Sequence, residues 1–228
     1  MSWDNPDPND KYAYPTGLNW DPRLTDFGYN QSRELSQYFV VNNIKIDRIY
    51  SSPLYRAVET ANIIAEKINF RYFSRKCEWC SPRINKLNAG CAPLPLLREF
   101  FPRINPTYIS ISKLPDINET SEELHERLSR TIQGFIEVKE DIRSILIISH
   151  ATSTFTGVRA LIKQIYAMIN CATCSLTKCI RNGGNWEIEL NGDTSFLSHG
   201  SVRNWVFKKE WEDNYDVKEI HKDNGLIN

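Results

Sequence analysis

Apolar positions along the chain follow two spacings, and the switches between them set the expected elements. From about Asp26 to Asn42, Leu35, Phe39 and Val40 recur at the three-to-four-residue interval that places them on one side of a helix. Asp47 to Ser51 is a short strand-like run enclosing Ile49 and Tyr50. Pro53 then suits the first turn of a helix running to about Ile68, with Val58, Ala61, Ile64, Ala65 and Ile68 as its apolar stripe. Phe70 to Phe73 reads as another strand. Thr120 followed by Glu123 forms a capping box, opening a helix through Leu124, Leu128, Ile132, Phe135 and Ile136. Ser144 to Ser149 is continuous and β-branched, the pattern of a central parallel strand, and Ala151 to Ile169 reads as the helix after it. Strands handing over to helices predict an α/β fold of three layers, α/β/α, around a mostly parallel sheet.

Between these elements the pattern lapses. Residues 1–23 hold Pro6, Pro8, Pro15, Pro22 and Gly17 among Asp and Asn, which predicts a long irregular loop. Ser74 to Pro115 reads as an excursion of loops rich in Pro, Asn, Cys and basic residues, and loops of that length tend to be lids or insertions. From Cys174 to Phe207 the chain alternates, with Trp186, Ile188 and Leu190 pointing one way and Asn191-Gly192 giving a turn signal. Residues 210–228 are charged and expected to fray. No internal repeat or linker divides the chain, so 1–228 is expected to form a single domain.

Composition narrows the function classes. Lys plus Arg and Asp plus Glu both number 28, leaving no global field to draw nucleic acid, so any basic site must be local. No run approaches the ~20 apolar residues of a membrane span, and the polar first ten residues do not resemble a signal peptide. The expected setting is cytoplasmic or nuclear. Of six cysteines, Cys77/Cys80 and Cys171/Cys174 form Cys-x-x-Cys pairs that could in principle hold zinc. They stand about 90 residues apart, and a compact zinc ribbon keeps its pairs closer. Free, mostly buried thiols and no bound metal are the expectation.

Two junctions carry the candidate chemistry. In Ser51-Ser52-Pro53-Leu54-Tyr55-Arg56, a strand runs into a helix whose first turn offers free N–H groups and a positive dipole end. The Arg56 guanidinium there could grip a phosphate through two parallel hydrogen bonds, although a lone arginine on an ordinary strand–helix unit is more often a surface residue. In Ile147-Ile148-Ser149-His150-Ala151, His150 stands at the carboxyl end of a buried strand, where α/β folds place ligands. The plain alternative is a satisfied core histidine. His125, His199 and His221 fit no pattern and are expected on the surface.

Ser52-Pro53-Leu54-Tyr55-Arg56 with Glu59-Thr60-Ala61, and Ser149-His150-Ala151, together resemble the histidine phosphatase (phosphoglycerate-mutase-like) superfamily. Asp21-Pro22-Arg23-Leu24-Thr25-Asp26-Phe27-Gly28, Glu119-Thr120 with Arg127, and Asn191-Gly192-Asp193-Thr194-Ser195-Phe196-Leu197 extend the resemblance over roughly residues 2–207. They bring it nearest to a fungal subgroup that includes a phosphatase-like subunit of the RNA polymerase III transcription factor complex. The resemblance implies hydrolysis of a phosphomonoester through phosphohistidine, with Arg56 clamping phosphate, His150 polarising it, and no metal or organic cofactor. It implies a carboxylic general acid: Glu78, in Cys77-Glu78-Trp79, is preferred over Glu99, in Leu97-Arg98-Glu99-Phe100. The implied partner is a phosphorylated small molecule or phosphoprotein, with no direct nucleic acid or membrane contact. Arg75, Lys76, Arg83, Lys86, Arg98 and Arg103 in the loops suggest an anionic ligand.

The family's nucleophilic histidine belongs to an Arg-His-Gly motif after the first central strand, and no Arg-His-Gly occurs in the 228 residues. Loss of that strand would leave unpaired sheet edges, at a cost comparable with a typical total stability of ~5–15 kcal/mol. The expectation is therefore a chain lacking its beginning, inactive by itself, with a natural pseudophosphatase as the other possibility. The rival function is a non-catalytic interaction module with a transcription-complex partner.

Overall fold

The computed structural model describes residues 12–75, 91–107, 119–136 and 142–205. Its elements run α1 (Asp26–Val41), β1 (Arg48–Ser51), α2 (Tyr55–Lys67), β2 (Ser74–Arg75), α3 (Leu94–Phe100), α4 (Ser121–Ile136), β3 (Ile145–Ile148), α5 (Ala151–Ile162), β4 (Leu176–Asn182) and β5 (Asn185–Asp193). β1 is the centre of a parallel three-stranded sheet of order β2–β1–β3, and β4 pairs with β5 as a separate antiparallel hairpin.

Alternation along the short strands builds the layers. Ile49, Leu146 and Ile148 join α1 and α2 in the main core, with Leu35, Phe39, Val58, Ala61, Ile64 and Ala65. On the opposite face Tyr50 stacks on Phe135 at 4.7 Å, and Ile147 packs with Leu124, Leu128 and Ile132 of α4 and Ala160 and Leu161 of α5. α2 thus leaves β1 toward one face while α5 leaves β3 toward the other. This is the α/β/α arrangement expected.

Several local expectations are corrected. Val40 is 45% exposed rather than part of the buried face of α1. The strand expected at Phe70–Phe73 begins later. The C-terminus of α2 consumes the preceding residues, through Phe70 N–H donating to the Ala65 carbonyl and Asn69 at φ 54°. Phe73 bridges Ile104, and Ser74 and Arg75 pair with Tyr50 and Ser51. The Ser74–Pro115 excursion contains β2 and α3. α5 stops at Ile162 rather than Ile169, because Lys163 adopts φ 56° and Arg159 Nε turns back to the Ala167 carbonyl at 2.8 Å. Ser144–Ser149 pairs with β1 alone, so among the described residues this apolar strand is at the sheet edge rather than at its centre. His125 is half-buried rather than on the surface.

The hairpin turn falls at Gly183-Gly184, both at positive φ, instead of at Asn191-Gly192. Asn191 instead pins the α5–β4 connection. It accepts from Asn170 N–H at 2.9 Å and donates through Nδ2 to the Met168 carbonyl at 2.8 Å. Gly192, at φ 66°, lets Asn170 come so close that an added Cβ would lie 2.4 Å from its carbonyl oxygen. The capping box forms as expected: Glu123 N–H reaches Thr120 Oγ1 at 3.2 Å, and Thr120 N–H reaches Glu123 Oε2 at 2.7 Å. Beside it, Glu119 holds buried Arg127 by two bonds, one of 2.6 Å from Nη2.

Candidate active site

The ends of β1 and β3 are tied together where Ser52 N–H donates to the Ile148 carbonyl at 2.8 Å. From this knot the chain departs twice into helices. Leu54, extended and fully buried, is the N-cap residue of α2 but supplies no side-chain bond. That task falls to Asp21, 34 residues upstream, whose two carboxylate oxygens accept from Tyr55 N–H at 2.8 and 3.0 Å. Arg56 follows, 3% exposed, with Nη1 3.5 Å from Asp21 Oδ1. His150, extended at φ −115°, is the N-cap residue of α5, and its Nε2 lies 2.8 Å from the Oγ of fully buried Ser52.

The structure therefore brings together the two residues singled out in the sequence. His150 is held well below the ordinary histidine pKa, first by burial and then by the Arg56 guanidinium, so its imidazole is neutral at neutral pH. Asp21 is raised to about 6 because burial outweighs the help of Arg56 and the Tyr55 N–H. Glu59, one turn beyond Arg56, is also raised by burial, against the opposing Leu24 N–H at 2.7 Å and Arg23 at 3.6 Å. The Arg56 guanidinium and the His150 imidazole, at the ends of adjoining strands, are the groups an oxyanion would engage, while the N-terminal amide of α2 is already capped by Asp21. A neutral imidazole can donate one hydrogen bond to such an anion without a charge of its own.

Glu99 is exposed on α3, and Glu78 lies outside the described residues, as do Cys77, Cys80 and His221. Burial pushes the thiols of Cys171 and Cys174 up to about 12, and among the described residues no cluster of three or more His, Cys, Asp or Glu could hold a metal. Also among the described residues, no helix is long and apolar enough to cross a membrane. The sequence reading passed over Asp21 and Ser52 as site residues. A carboxylate in a proline-rich loop carries no periodic signal, and Ser52 stood out only as part of a longer string.

Comparison with known proteins agrees with this geometry. The profile of the histidine phosphatase superfamily (branch 1) matches residues 16–194. The transcription factor tau 55 kDa subunit of Saccharomyces cerevisiae is 25% identical over 239 residues, covering 88% of this chain and 55% of that protein. Human ubiquitin-associated and SH3 domain-containing protein A is 26% identical over 211 residues, covering 82% of this chain and 32% of that protein. The chain thus spans about half of one relative and a third of the other. Among solved structures, the ecdysone phosphate phosphatase from Bombix mori, in complex with tungstate, superposes with a TM-score of 0.65 at 17% identity, over 85% of this chain and 79% of that one. Mycobacterial hydrolase 1 does so at 0.52 and 13% identity, over 80% and 88%. At these identities the structural likeness speaks for the fold.

Proposed function

The chain belongs to the histidine phosphatase superfamily, and on that footing we propose that its Arg56–His150 site binds the phosphoryl group of a phosphomonoester. The observation that carries this reading is the convergence of a buried arginine at the N-terminus of α2 with a histidine at the end of the adjoining strand. They lie close enough for the guanidinium to depress the imidazole pKa. Arg56 would take the non-bridging oxygens, and His150 would polarise the group.

In a chain that also carries Arg-His-Gly, an attacking histidine would form phosphohistidine, and Glu78 would protonate the leaving alkoxide. The 228 residues contain no such motif, so the chain alone is expected to bind oxyanions without turnover. Calorimetric titration with inorganic phosphate should show binding that Arg56→Ala and His150→Ala both weaken. Turnover of an aryl phosphate by the 228-residue chain, abolished by His150→Ala, would overturn the expected inactivity. Failure of phosphate to bind at all would overturn the site.

A second reading, a non-catalytic module in a transcription complex with a nuclear setting, is supported by the likeness to the tau 55 kDa subunit across 88% of this chain. Recovery of polymerase III transcription factors with the tagged chain would favour it. Equal recovery with an unrelated phosphatase domain would count against it.

A further inference from the structure

We propose that Asp21 is a built-in counter-charge to Arg56, a positioning residue that competes with an incoming oxyanion for the guanidinium and so sets the strength and pH dependence of its grip. The inference rests on the reading of Arg56 and His150 as a phosphate site. Asp21 comes from neither strand nor helix. It is delivered by the irregular segment before α1, and that segment is fastened to α2 a second time by Leu24 N–H and Arg23 on Glu59. Capping α2 does not require this arrangement, since a Ser or Asp at position 54 would serve locally. Position 54 is instead a buried leucine, and a fully buried carboxylate is brought to 3.5 Å from Arg56.

Burying a carboxylate is costly unless its charge is matched. Here the match is the same guanidinium that would hold the ligand. While Asp21 is ionised, its carboxylate offsets part of the Arg56 charge and repels a dianion; once Asp21 is protonated, that offset is lost. Among the described residues, the charged and titratable groups around Asp21 are Arg56, Glu59 and the Tyr55 phenol on α2, Arg23 on its own segment, and His150 beside Arg56. Since Asp21 titrates at about 6, oxyanion affinity should rise as pH falls through that value.

The test is calorimetric titration of the 228-residue chain with sulfate, a dianion throughout, from about pH 8 to about pH 5, the range over which a group of this pKa changes charge. Wild type should tighten roughly tenfold across the range, the scale of a charge interaction a few ångströms beyond contact. Asp21→Asn keeps an oxygen for the Tyr55 N–H but carries no charge, and should bind tightly with no step. If Asp21→Asn matches wild type in affinity and pH profile while Arg56→Ala weakens binding, the phosphate site stands and Asp21 is a helix cap alone. If sulfate binds at no pH, the phosphate reading fails and this inference falls with it. Should Asp21→Asn not fold, His150→Gln decides: a step that survives there supports Asp21, and a step that disappears assigns it to His150 and overturns the proposal.

Discussion

His150, part-buried, and Asp21, fully buried, both stand beside Arg56, yet desolvation moves them in opposite directions on the pH scale, with opposite consequences for stability. A histidine held below its ordinary 6.5 binds fewer protons folded than unfolded, so stability is lost as pH falls below that value. An aspartate raised from 3.8 to about 6 binds more protons folded than unfolded between those values, so stability is lost as pH rises through that window. Wild type should therefore show a shallow stability profile in which the two slopes oppose. His150→Gln removes one of them. Its melting temperature relative to wild type should climb as the solution is acidified below about pH 6.5; a constant offset at every pH would show that His150 titrates normally. Arg56 and His150 stand where strand spacing gives way to helix spacing, but it was the family resemblance of Ser52-Pro53-Leu54-Tyr55-Arg56 and Ser149-His150-Ala151 that singled them out. Asp21 was not legible as a site residue, because its role depends on a loop crossing 34 residues of sequence to reach Tyr55 N–H, and no local pattern encodes that.

At the scale of elements, the glycines of the C-terminal hairpin separate intrinsic backbone strain from tertiary crowding. Gly183 and Gly192 have φ of 56° and 66°, but a Cβ at Gly183 meets nothing within 4 Å while one at Gly192 would strike the Asn170 backbone. Gly183→Ala should cost about 1–2 kcal/mol, the left-handed penalty alone. Gly192→Ala should cost several kcal/mol, since β5 and the α5–β4 connection must part as well. Equal losses in denaturant unfolding would mean that the Asn170 contact yields freely. On α4, Thr120→Ala should cost ~1 kcal/mol for the lost cap, and Glu119→Gln more, because it strips the buried Arg127 of its counter-charge; the reverse order would refute this account. Periodicity found α1, α2 and α4 almost to the residue, since each buries a stripe. It overran α5 because Ile165 and Ile169 continue the spacing, while the turn at Lys163 depends on Arg159 reaching Ala167. Asn191-Gly192 gave a turn signal because that dipeptide suits a tight turn, whereas here the positive φ of Gly192 serves close packing.

For the molecule as a whole, the sheet is asymmetric in a way its own sequence opposes. Ile145–Ile148 has the uninterrupted apolar composition of a strand covered on both sides, and α/β/α layering does cover both its faces. Its hydrogen-bonding edges differ. Arg48 N–H and Ser52 N–H donate to the Ser144 and Ile148 carbonyls, and with Arg48 opposite Ile145 and Ser51 opposite Ile148 the parallel ladder turns the N–H groups of Leu146 and Ile148 toward β1. Those of Ile145 and Ile147 point the other way, where no described strand pairs with them. An apolar strand whose outer edge no described strand covers is suited to pair with another. The same asymmetry is measurable without a partner. In hydrogen exchange on dilute chain, Leu146 and Ile148 should be protected close to the global limit, while Ile145 and Ile147 exchange far faster. That alternation should weaken as concentration rises if a second copy docks on the edge. Uniform protection of all four amides in dilute solution would show that the edge is already covered, and that β3 occupies the interior position its sequence describes.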